Sequence, residues 1–123
     1  MNAQSQAQRA YSAASATTRT PRNMEYDAVA RITHRLRSEA LKGAEGFPAL
    51  VRALYDNKKL WNIFAVDVAD DDNQLPRALR AQIFYLAEFT SQHTTKVLAR
   101  QADVAPLLEI NTAILNGLQS GAA

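Results

Sequence analysis

Apolar residues recur along this chain at the three-and-four spacing of helices, with no strand-like alternation anywhere. After residue 19, Val29, Ile32, Leu36 and Ala40 fall on one face. Thr20 before Pro21 predicts the start of that helix, with threonine as N-cap and proline in the first turn. Gly43 and Gly46 predict its end. In the next segment, from Phe47 to Ala69, Leu50, Leu54, Trp61 and Val68 form a stripe that Val51, Leu60, Phe64 and Ala65 widen. A stripe that wide belongs to a helix packed against more than one neighbour. A third helix is expected from Leu75 to Arg100, with Pro76 in its first turn. Its seam is Leu79, Ile83, Leu86, Thr90, His93 and Val97, a heptad-like pattern suited to antiparallel packing. The last helix carries Leu107, Ile110, Ile114 and Leu118, with Asp103 as its cap. Trp61 repeats with Leu54 and Val68 and is assigned to the core.

The pattern predicts an all-α protein, a small four-helix bundle over residues 20–118, with an N-terminal arm at 1–19 and a disordered tail at 119–123. The arm is rich in Ala, Ser, Thr and Gln, with Tyr11 as its one large apolar side chain. Alone it buries too little apolar surface to offset its ordering entropy. It is therefore either frayed or short-helical, becoming helical on a partner or on a second copy in a homodimer, with Tyr11 as anchor.

Composition narrows the classes. The 123 residues, 47% of them apolar, suit one domain with one core. The chain has no cysteine, which removes disulfides, thiol nucleophiles and thiolate metal sites. No apolar run approaches the roughly 20 residues of a membrane span, and the N-terminus lacks the apolar stretch of a signal peptide, so a cytoplasmic location is expected. The net charge of +2 conceals an asymmetry. Residues 1–59 carry ten basic and five acidic side chains, while the remainder carries four and seven. A basic half and an acidic half fit either a partner or each other.

The densest cluster of one chemistry is Asp67, Asp70, Asp71, Asp72 and Asn73, between the tryptophan helix and the next. A calcium loop needs oxygen ligands at positions 1, 3, 5 and 12 and glycine at 6. Counted from Asp70, position 6 is Leu75 and position 12 is Ala81; counted from Asp67, position 3 is Ala69. Both frames fail, and no metal or other cofactor is expected. Asp and Asn instead suit a tight turn, and acidic groups ahead of a helix favour its positive end. The cluster reads as a corner, with Leu75 as a hydrophobic staple and Asp67 either facing solvent or paired with Arg77 or Arg80.

His34 lies among arginines and His93 on a packing seam, far apart in sequence. With no phosphate loop and no nucleophile motif, the sequence reads as non-enzymatic. The basic helix over residues 21–42, with Arg22, Arg31, Arg35, Arg37 and Lys42, offers an RNA-binding alternative. Glu25, Asp27 and Glu39 interrupt that patch, and RNA binding is the weaker reading.

Leu60-Trp61, Asp67 six residues on, and the run from Asp71 to Ile83 with Asn73, Leu75, Pro76, Leu79 and Arg80 resemble the flagellar biosynthesis protein FlaF family of alphaproteobacteria. The resemblance extends to the closing helix and to residues 10–33, nearly the whole chain. It implies a small cytoplasmic factor needed for flagellin production and filament assembly. Such proteins are thought to bind flagellin as an export chaperone, or to couple its translation to secretion, alongside the FlbT regulator. The family brings no catalytic set to carry over. The mechanism proposed from the residues is helix-in-groove recognition, in which a small bundle covers an amphipathic flagellin helix. Its candidate contacts are Tyr11, Tyr55, Phe84, Tyr85 and Phe89, apolar side chains left over once one core is filled. An adaptor working mainly through an FlbT-like regulator is the alternative.

Overall fold

A computed structural model describes residues 26–120, with side chains as far as Gly117. The arm with Tyr11, the expected helix start at Thr20 and Pro21, and the Leu118 side chain lie outside the described residues. Among those described, there are four α-helices and no strand: α1 Tyr26–Leu41, α2 Phe47–Ala69, α3 Arg77–Leu98 and α4 Ala105–Ser120. The bundle expected from the spacing is the bundle that forms. α4 runs two residues beyond the expected end at 118.

Each helix ends for a local reason. Gly43 takes the left-handed conformation at φ 66°, which stops α1. A short 3₁₀ turn, Gly43–Gly46, then carries the chain into α2, a detail that the apolar spacing does not encode. Gly46 is buried there, and a Cβ on it would strike the Glu39 carbonyl and sit 2.8 Å from Lys42 Cβ, so the position requires glycine. α3 ends with two paired bonds: Arg100 N–H donates to the Val97 carbonyl, and Gln101 N–H donates to the Lys96 carbonyl. These are the bonds of a Schellman motif, with Arg100 at φ 60° where glycine is usual. α4 is primed by Asp103, whose carboxylate accepts the Ala105 N–H at 2.9 Å.

α2 packs against both α1 and α3, α1 also packs against α4, and α3 meets α4 only slightly. α2 is therefore diagonal to α4 across the bundle. Two apolar clusters fill the interior. One gathers Val29, Trp61, Phe64, Val68, Leu75 and Ile83, and the other Leu36, Leu50, Leu54, Val97, Val104 and Leu107. Leu75 joins the first cluster, and Leu79 packs against the same cluster. The α3 seam is rotated slightly from the one read off the sequence: Ala87 and Thr94 are buried, while Leu79, Leu86 and His93 are only partly so.

The core also holds a polar diagonal. Trp61 Nε1–H donates to Asn111 Oδ1 at 2.9 Å, and Asn111 Nδ2 donates to Asn57 Oδ1 at 2.8 Å. All three side chains are fully buried. Thr33 and Thr94, also buried, return their hydroxyls to the carbonyls four residues earlier. Among the described residues, Asn57 Nδ2 and Thr90 Oγ1 have no hydrogen-bond partner.

Candidate functional site

The corner between α2 and α3 is built from backbone carbonyls that would otherwise be orphaned at a helix end. Asn73 is buried and works in both directions: its Nδ2 donates to the Asp67 carbonyl, and its Oδ1 accepts the Leu75 N–H, both at 2.9 Å. Arg80 donates Nε–H to the Val68 carbonyl at 3.1 Å and reaches the Asp70 carbonyl at 3.4 Å. Asp70 Oδ1 accepts the Asp72 N–H at 2.9 Å, closing an Asx turn. Pro76 stands one residue before the first residue of α3, and its carbonyl accepts the Arg80 N–H. Leu60 and Trp61 are buried in the core behind this corner, and Leu79 is half-buried beside it. The motif residues thus hold the α2–α3 turn by their hydrogen bonds and packing.

Outside the corner, α2 and α3 leave a groove of about 310 Å³ lined by Val68, Ala69, Arg77, Arg80, Ala81 and Phe84. Phe84 is 42% exposed there. The outward face of α2 leads into this groove. Arg52, Tyr55, Lys59, Asn62, Val66 and Ala69 follow one another at helical spacing and are all exposed. Val66, at 71% exposure, is the most open large apolar side chain in α2. It is not among the contacts that the sequence singles out. Its phase was the available signal, since it repeats with Arg52, Lys59 and Asn62 rather than with Leu54 and Val68.

The other candidates are dispersed. Tyr55 is exposed on α2, 11 residues before Val66, about 16 Å along the helix at 1.5 Å per residue. Tyr85 is exposed on α3, a turn of about 100° away from Phe84. Phe89 is half-buried, its ring stacked on His93 with centroids 5.5 Å apart. His93 Nε2 lies 2.7 Å from the Asp103 carbonyl, which makes it the protonated, donating nitrogen.

The electrostatics disfavour a free basic stripe on α1. Arg35 is paired with Asp56 of α2 at 2.8 Å, and Lys42 with Glu39 at 3.0 Å. Arg31 and Arg37 remain exposed on that helix. Ser38 Oγ lies 3.4 Å from His34 Nε2 on the same exposed helix, with no orienting carboxylate bonded to the ring among the described residues. No helix among the described residues is long and apolar enough to cross a membrane. No group of three or more metal-ligating side chains gathers among them.

The family model described as "Flagellar protein FlaF" matches residues 7–118. No curated relative and no solved structure matches the chain.

Proposed function

Because the chain belongs to the flagellar protein FlaF family, we propose that it acts in the cytoplasm as a non-enzymatic flagellin-binding factor. In this reading it shields an amphipathic flagellin helix before export, or couples flagellin translation to secretion. The observation that carries the reading is the groove at the α2–α3 corner. Phe84 and Ala81 on one helix and Ala69 on the other line it with apolar surface, Val66 stands one turn before Ala69 on the exposed face of α2, and Arg77 is exposed at the edge. Apolar anchors at helical spacing with a charge on the rim suit a helix-in-groove contact, and the rim charge favours an acidic flank on the incoming helix. Phe84 is the central contact, with Tyr85 beside it and Tyr55 toward the far end of the α2 stripe.

The second reading, an adaptor working through an FlbT-like regulator, would use the same surface. Purified flagellin monomer, mixed with this protein in moderate salt and passed over a sizing column, separates the two. Co-elution of the pair supports direct binding. Co-elution only after a third protein is added contradicts it and favours the adaptor. RNA recognition by α1 is weakened by the pairing of Arg35 and Lys42 within the fold.

A further inference from the structure

At the end of the bundle opposite the acidic corner, a cleft of about 410 Å³ opens among Phe47, Leu50, Val97, Arg100, Ala102 and Val104. It is of a size that holds one or two side chains. Its walls are mostly apolar, and Gly43 lines it with no described residue within 4 Å of where a Cβ would stand. Arg100 is the one cation on its lining. The Arg100 guanidinium lies 4.1 Å from the centre of the Phe47 ring. Among the described residues, that side chain has no carboxylate partner. Asp103 also lines the cleft, but its carboxylate is engaged by the Ala105 N–H at the start of α4.

The backbone at Arg100 sharpens the point. Its φ of 60° is the left-handed conformation that a helix C-cap normally gives to glycine. Glycine would make the same two main-chain bonds with less strain. An arginine there positions a guanidinium at the mouth of an apolar cleft and holds it over an aromatic ring. Backbone strain of this kind gathers where a side chain must be aimed.

We propose that this cleft captures the carboxyl-terminal residue of a partner polypeptide, its apolar side chain entering among Phe47, Leu50 and Val97 and its terminal carboxylate pairing with Arg100. The small volume of the cleft and its single cation suit a chain end, and a planar guanidinium matches a carboxylate in two hydrogen bonds. The site stands apart from the Phe84 groove, and it does not depend on flagellin being the partner.

The test uses the full chain and three short probes, followed by shifts of its amide NMR signals. These are acetyl-Ala-Ala-Leu with a free carboxylate, the same peptide as its amide, and acetyl-Ala-Leu-Glu amide. The free acid is expected to shift the signals of Phe47, Leu50, Val97 and Val104, with at least fivefold tighter binding than either amide. Arg100→Gly is expected to keep or raise the Tm while abolishing the preference for the free acid, and Arg100→Lys to retain part of it. Equal binding of acid and amide, tighter binding of the glutamate peptide, or no binding of the free acid at millimolar concentration would overturn the proposal. So would an Arg100→Gly protein that still prefers the free acid.

Discussion

Asn111 joins two buried groups on α2, accepting the Trp61 indole N–H and donating to Asn57 Oδ1. Asn111→Ala removes both bonds and leaves an indole N–H and an amide oxygen unpaired in the core. At about 1–3 kcal/mol for each buried polar group left unsatisfied, a loss of about 3 kcal/mol is expected. The readout is a lower urea midpoint at unchanged slope. The two glycines of the α1–α2 turn differ in kind. Gly46→Ala forces a Cβ against the Glu39 backbone and is expected to cost about 1–3 kcal/mol by overpacking. Gly43→Ala meets open space and pays only for its positive φ, about 1 kcal/mol. Thermal melts of the two variants should rank them in that order. The burial of Trp61 was legible because its phase matches Leu54 and Val68. The burial of Asn57 and Asn111 was not, since an asparagine in a helix pattern looks like surface until its partner, 54 residues away, is known. Val66 misleads in the opposite direction: its chemistry is that of the core, but its phase is that of the polar face.

At the scale of elements, α2 was readable to the residue, and α3 to within two residues at either end. Strong apolar stripes and prolines mark those segments plainly. The 3₁₀ turn was not readable, because four residues are too few to show a period. The α2–α3 corner was readable as a turn, but its wiring was not. Acidic residues drew attention, whereas Asn73 and Arg80 supply the side-chain bonds to the end of α2. Arg80→Ala is accordingly expected to cost about 1–2 kcal/mol through lost bonds to the Val68 and Asp70 carbonyls. Asp71→Asn at the exposed tip should change stability by less than about 0.5 kcal/mol. Chemical denaturation of both proteins measures the contrast. The corner's charge invites one further check. Millimolar calcium is expected to leave the Tm unchanged in differential scanning fluorimetry, and a clear rise would give the aspartates a ligand role.

At the scale of the whole molecule, the polar diagonal and two apolar clusters hold the bundle, and the motif at the α2–α3 corner is a folding device. Leu60, Trp61, Asn73, Leu75 and Arg80 set where α3 leaves α2, and the surface proposed for flagellin is what that geometry exposes. Because Phe84 is partly exposed and lies outside both core clusters, it can be changed with little damage to the fold. The decisive measurement is a calorimetric titration of purified flagellin monomer into the wild-type chain and into Phe84→Asp, with both melts recorded. The account predicts a stoichiometric complex for the wild type. For Phe84→Asp it predicts affinity at least tenfold weaker, about 1.4 kcal/mol or more, at nearly unchanged Tm. Wild-type affinity in Phe84→Asp, or no heat of binding with the wild type, would contradict it.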